Sequence, residues 1–231
     1  MTTSWGNTSE KIRFDGIKAL EQAVTEKIYG SIEDAVAQLT VFTHPDTVMG
    51  IFENKNVFNT IRENSKNKRE DFNDNDKVTY DDNHSPHCAF VYANGLQGKG
   101  KDFLDVQFNH LYPFSDKKHS LSEKKAHYTS LANIVMTPAF LAKLTDNHKN
   151  IQKLLQYHSY KLYGYDPLNQ FQEDTTPPKG YDKLKWAEPL PPLDNVEESM
   201  KTRIYGNPKK QKNNRLTRSI KEVGWYFEPI N

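Results

Sequence analysis

The sequence predicts an α+β fold, and three observations carry that prediction. Apolar residues recur at helical spacing over residues 9–42 and again over 146–163, whereas residues 103–111 alternate as a strand does and residues 133–136 run into a short apolar stretch. Aromatic residues make up 12% of a chain that is only 35% hydrophobic, so the core is carried by large rings rather than by many aliphatics. A chain of 231 residues is long enough to bury such a core. Its mean hydropathy of −0.85 surrounds that core with polar, partly extended margins.

The elements follow in order. Ile12, Ile17, Leu20, Val24 and Ile28 share one helical face, and Gly30 stands where a left-handed helix end is expected. Ser31 with Asp34 resembles a capping box for a second helix bearing Ile32, Ala35, Val36 and Leu39. Pro45 opens a third, with Val48, Ile51 and Phe52 inward and Val57 and Ile61 extending it after a break. Residues 63–83 are rich in charged side chains and Asn, broken only by Phe72, Val78 and Tyr80, and read as a solvated connection. Ser85-Pro86 then turns the chain into a strand over residues 88–92, and Asn94-Gly95 marks the next turn.

Several function classes are narrowed by composition alone. The formal net charge of +1 steers nothing toward nucleic acid as a whole, so such a partner must meet a local basic patch. The single cysteine, Cys88, excludes an intrachain disulfide and fits a reducing, cytoplasmic compartment. No apolar run approaches the roughly 20 residues of a membrane span. His84, His87 and Cys88 lack the second Cys/His pair of a structural zinc site, and Gly95, Gly98 and Gly100 lack the strand-to-helix setting of a phosphate loop.

The strand over residues 103–111 places Phe103, Asp105, Gln107 and Asn109 on one side and Leu104, Val106, Phe108 and His110 on the other. Beyond it come Leu111-Tyr112-Pro113-Phe114-Ser115, a variable stretch, then Leu131-Ala132-Asn133-Ile134-Val135-Met136. Thr137-Pro138 begins a short helix that ends in Lys143-Leu144-Thr145-Asp146. This order resembles the HNH, or His-Me finger, endonucleases over residues 103–165. The resemblance implies a small ββα-metal finger core embedded among helices, with an extended Pro-rich and basic C-terminal segment. It divides the chain into a helical N-terminal region at 1–68, a nuclease-like core at 69–165 and the C-terminal segment at 166–231.

By the same resemblance His110 is the general base that activates water, Asn133 pins the loop bearing it, and Asn109 offers an oxygen to one divalent cation, Mg²⁺ or Mn²⁺. The sequence departs from the family in two places. Asn109 stands where many relatives carry aspartate, and Ala142 occupies the helix position that usually supplies a further ligand. Asp146, one turn on, is the expected substitute, with His148, Asn147 and Asp105 as further ones.

Ser120 with Glu123 looks like the cap of a short helix carrying His127, and His119 and His127 read as solvent-facing or nucleic-acid-contacting. Lys117, Lys118, Lys124 and Lys125 would contact phosphates crossing that loop. A helix reaching residue 163, stopped by Gly164, carries His158 on its packed face. Prolines dominate residues 166–194, which read as an extended connection that wraps the domain or reaches a partner. The tail concentrates Lys209, Lys210, Lys212, Arg215 and Arg218, a second patch for a nucleic-acid backbone, and ends in an aromatic run around Trp225 that should dock on the body or a partner.

Two functional expectations follow from different classes. One is a metal-dependent DNA endonuclease, of the kind used in restriction or phage defence. The other is a catalytically degenerate HNH-fold protein that binds nucleic acid or a partner without cutting, and a plain packing role for the same residues stands behind both.

Overall fold

Local capping chemistry sets the first helices. The computed structural model describes residues 16–51, 56–63, 72–73, 78–96, 105–112, 121, 124–206, 216–217, 220–221 and 224–225. Helix α1 spans Gly16–Thr25 and buries Leu20 and Ala23. Its left-handed exit is Lys27 (φ 62°) rather than Gly30, because the helix ends earlier than the apolar period implied. In α2 (Ile32–Leu39) the Ser31 hydroxyl accepts from the Asp34 amide at 3.0 Å, while the Asp34 carboxylate accepts from the Gly30 amide at 3.1 Å. Both ends of the cap are thereby satisfied, one residue out of register with the usual reciprocal bond. Pro45 is the first residue of α3 (Pro45–Met49), where its missing N–H costs nothing.

Residues 56–83 depart most from expectation. In place of a helical extension, the described residues there form a three-stranded sheet of β1 (Thr60–Arg62), β2 (Phe72–Asn73) and β3 (Val78–Asp81), while much of the expected solvated connection, residues 64–71 and 74–77, lies outside the described residues. The strand order is β1-β3-β2, with β1 parallel and β2 antiparallel to the central β3. All four residues of β3 are buried. The signal was Val78 and Tyr80, two apolar residues at strand spacing inside a charged stretch.

Helix α4 (His84–Ala93) replaces the expected strand. It is enclosed on nearly every side, with Cys88, Ala89, Phe90, Val91 and Ala93 all buried, so its sequence shows no polar face and no helical period. A short apolar run of this kind fits a buried strand and a buried helix equally well. Asn94-Gly95 does turn the chain, as the helix exit: Gly95 is left-handed at φ 66°.

A second sheet pairs β4 (Val106–His110) with β5 (Ile134–Pro138), antiparallel and in continuous register from Val106↔Pro138 to His110↔Ile134. Val41 pairs with Met136 on the far edge of β5. A 3₁₀ turn over Ala139–Leu141 leads into α6 (Ala142–Asn147), which packs against β4. Helix α7 (Lys149–Tyr163) follows and stops at left-handed Gly164, as the sequence suggested.

The proline-rich residues wrap the domain. Ala187 donates to the Ala37 carbonyl at 2.9 Å and Leu190 to the Phe42 carbonyl at 3.2 Å. Just before the first of these bonds, the Trp186 ring stacks on His158 of α7, centroids 3.6 Å apart and planes 5° from parallel. Helix α8 (Val196–Tyr205), unforeseen in a segment read as a basic tail, is capped by Asn195, whose side chain accepts from the Glu198 amide at 3.0 Å. It packs on α4, and its Arg203 donates to the carbonyls of Gly95 and Leu96. Trp225 is buried and packs on Phe58 at 5.5 Å.

One hydrophobic cluster joins Leu20, Phe42, Phe58, Phe90, Ile134, Leu154, Met200 and Trp225, drawing on all three stretches of the chain. Among the described residues no helix is long and apolar enough to cross a membrane.

Candidate active site

His110 is the last residue of β4 and lies on the face that also bears Phe108. It is 7% exposed. Its Nε2–H donates to the Tyr128 carbonyl at 2.8 Å, and its ring stacks on that of Tyr128 at 5.4 Å with 16° between the planes. A carbonyl only accepts, so in the neutral ring the proton sits on Nε2 and the lone pair on Nδ1. Burial drives the pKa down to about 4, against a smaller upward pull from the Tyr128 carbonyl; the positive charge of Arg62 lowers it further. The imidazole is therefore neutral at neutral pH.

Tyr128 belongs to α5 (Lys125–Tyr128), a single turn that grips this region with consecutive carbonyls. The Tyr128 carbonyl holds His110, and the His127 carbonyl accepts from the Asn133 amide nitrogen at 3.1 Å. The Asn133 amide oxygen in turn accepts from the Tyr112 backbone at 3.0 Å. Asn133 is fully buried and thus ties the two residues after His110 to the turn that carries Tyr128. Leu111 is held at both ends, its N–H by the Asn133 carbonyl at 2.8 Å and its carbonyl by Gln156 of α7 at 2.8 Å. Ser159 of α7 donates to the Ala132 carbonyl at 2.6 Å. A buried polar lattice thereby fixes the backbone on both sides of the histidine.

Tyr128 also reaches the other sheet. Its hydroxyl donates to the Asp81 carbonyl at 2.9 Å and accepts from the Asn83 amide at 2.8 Å. Asp81 is paired in register with Arg62 across the parallel β1–β3 ladder, and its carboxylate accepts from the Ser85 amide at the start of α4. His87 of α4 meets Phe108 edge-on at 4.4 Å, on the His110 side of β4. His84 lies 3.6 Å from the Cys88 sulfur, and burial pushes the Cys88 thiol up to about 12. Tyr128, Arg62 and Gln156 were not singled out from sequence as site residues. Each is remote from His110 in the chain or carries no motif, and only the fold gives it a role.

Of the positions expected to bind a metal, the side chains of Asn109 and His148 have other partners. Asn109 leaves β4 on the face opposite His110, because the register with β5 runs through both residues without a bulge. Its amide nitrogen donates to the Thr137 hydroxyl at 2.7 Å. Asp146 is exposed on α6, and Ala142, at the position of the missing ligand, is buried. His148 caps α7, its Nδ1 accepting from the Ile151 amide at 3.3 Å. Asp105 is exposed in a left-handed turn, its carbonyl accepting from the Ala139 amide at 2.6 Å. Among the described residues no group of three His, Cys, Asp or Glu side chains is arranged to hold a metal ion.

Lys124 and Lys125 are exposed at the start of α5. His127 is half-buried and hydrogen-bonded through Nδ1 to the Tyr165 hydroxyl at 3.0 Å, with its pKa lowered by burial and by Lys124. Lys117, Lys118, His119, Ser120, Glu123, Lys209, Lys210, Lys212, Arg215 and Arg218 lie outside the described residues. No protein-family model, curated protein or solved structure matches the chain.

Proposed function

We propose that the protein is an HNH-like endonuclease hydrolysing phosphodiester bonds in DNA, with His110 Nδ1 as the general base. The observation that carries this reading is the way His110 is held. A neutral imidazole has Nε2–H committed to a backbone carbonyl, and a buried Asn133 amide locks the residues that follow it. In support of the reading, the antiparallel β4–β5 pair is followed by α6, so that strand, histidine, asparagine, strand and helix come in the order the resemblance implies.

Water loses a proton to Nδ1, the resulting hydroxide forms the new P–O bond, and the opposite P–O bond breaks. The departing alkoxide takes a proton from solvent. The fixed tautomer keeps Nδ1 in its accepting form, and the stack on Tyr128 holds the ring plane. A pKa of about 4 leaves the base deprotonated throughout pH 6–8, at the cost of a weaker pull on the proton. Lys124 and Lys125, both exposed, would supply phosphate contacts. Mg²⁺ or Mn²⁺ is the cation such a site would use, with Asn109, Asp146 and His148 as the residues expected to hold it, and no step is routed through it here.

The same donor set favours a second reading, a catalytically degenerate HNH-fold protein that binds nucleic acid or a partner. Incubation with supercoiled plasmid, with Mg²⁺, with Mn²⁺ and with chelator, separates the two. The nuclease reading expects nicking that His110→Ala abolishes. Nicking that survives His110→Ala refutes the assigned base, and salt-dependent binding without nicking in any condition establishes the second reading.

A further inference from the structure

We infer that the cleft between the start of α2, the start of α7 and the 178–184 turn of the proline-rich strap binds a sugar phosphate, with the phosphate on Lys153, Lys179 and Lys183. The cleft measures about 750 Å³, within the range of small-molecule sites. It shares no residue with the His110 site, and its ligand is independent of phosphodiester cleavage.

The strap presents two of the three ammoniums from a fixed backbone. The Tyr181 amide donates to the Pro178 carbonyl at 2.9 Å and the Lys183 amide to the Gly180 carbonyl at 3.0 Å, so two overlapping turns close the loop that carries Lys179 and Lys183. Gly180 is left-handed at φ 84° and makes the bend between them, where a side chain would be strained. The Tyr181 ring anchors the loop on α7. Its hydroxyl is hydrogen-bonded to His158 Nδ1 at 2.7 Å, and it meets Tyr157 edge-on at 4.9 Å. Lys153 comes from α7 itself, one turn before Tyr157. All three lysines are exposed, and among the described residues no carboxylate pairs with any of them.

The α2 side of the cleft selects the rest of the ligand. The Asp34 carboxylate is engaged by the Gly30 amide at 3.1 Å, and the Glu33 carboxylate has no partner among the described residues. A carboxylate only accepts, so Glu33 takes a hydroxyl proton and repels a second phosphate. The Ser31 hydroxyl oxygen accepts from the Asp34 amide at 3.0 Å and keeps its own proton to donate. Leu154 and Leu184 add apolar lining. Lys153, Lys179 and Lys183 outnumber Glu33 and Asp34, which leaves the cleft positive. A phosphate monoester carries a charge of about −1.5 to −2 at pH 7 and engages more than one ammonium, whereas a lone carboxylate needs one. One phosphate for the lysines and hydroxyls for Glu33 and Ser31 together describe a sugar monophosphate.

Isothermal titration calorimetry of the full-length protein with ribose 5-phosphate, glucose 6-phosphate, ribose and inorganic phosphate tests this. At least one sugar phosphate is expected to bind saturably, with ribose silent at about 10 mM. The double variant Lys179→Glu/Lys183→Glu should weaken that binding by roughly tenfold or more. Lys161→Glu, the same charge reversal in the last turn of α7, should leave it within about twofold. Glu33→Ala should weaken the sugar phosphate and spare inorganic phosphate. Melting curves of the variants keep folding out of the comparison. No saturable binding of either sugar phosphate up to about 10 mM overturns the inference, as does binding that the Lys179/Lys183 reversal leaves within about twofold. Inorganic phosphate held as tightly as the sugar phosphates, with no effect of Glu33→Ala, overturns the sugar assignment.

Discussion

Lowering the pH from 7 to 5 should cost this protein several kcal/mol of stability, and the structure names the groups responsible. His110 and His158 are each held at a pKa of about 4, against 6.5 for a free histidine, in both cases chiefly by burial. A histidine buried neutral contributes stability that is fully present above the unfolded value and is lost as pH falls from 6.5 toward 4, because the unfolded chain takes up the proton first. Linkage gives a loss of about 2 kcal/mol for each ring between pH 7 and pH 5, hence about 4 kcal/mol for the pair. His87 and His127, also shifted down by burial, add in the same direction. Urea denaturation at half-unit pH steps, followed by tryptophan fluorescence, measures this. His158→Phe, which keeps an aromatic ring against Trp186, should remove about half of the pair's slope. A stability constant to within about 1 kcal/mol from pH 7 to 5, or an unchanged slope in His158→Phe, would show that these rings are not buried neutral as described.

Three further predictions concern the packing around the site. Asn133→Ala strands the Tyr112 amide and the His127 carbonyl in a buried setting, and at about 1–3 kcal/mol for each it should destabilise by roughly 2–6 kcal/mol in urea melts. Tyr128→Phe keeps the ring on His110 but removes the hydroxyl between Asp81 and Asn83. A loss of about 1–3 kcal/mol is expected, with faster amide exchange at Asn83 as its local signature. Cys88, buried with its thiol pushed up to about 12, should resist a thiol reagent at pH 8 in the native protein and react at once in denaturant.

How much was legible in the sequence depends on where each element finds its partners. Ser31, Pro45 and Gly164 act on backbone within four residues of themselves, and all three mark real helix ends. The β4–β5 pair was legible because strand alternation is a local signal, but the helix expected to start at Thr137-Pro138 was misplaced: both residues pair in β5, a 3₁₀ turn follows, and α6 begins only at Ala142. Helix α4 was not, since a helix buried all round loses the polar face that reveals its period. The β1–β3–β2 sheet was hidden for another reason: its strands are two to four residues long and gain their burial from contacts with distant segments. Around His110 the same division holds. The motif pointed to His110 and Asn133, while Tyr128, Gln156 and Arg62 enter only through tertiary contacts that no spacing encodes.

The proline-rich strap has a consequence for synthesis. Phe42 and His158 are complete well before Trp186 leaves the ribosome, and Trp186 is the ring that covers them. In that interval the nascent chain carries an open aromatic trough on α7, with the backbone carbonyls of Ala37 and Phe42 still turned to water. Because the closing contacts are among the most distant in the chain, sealing the trough belongs to the late part of folding. A chain truncated before Trp186 would keep its secondary structure signals and display a sticky face.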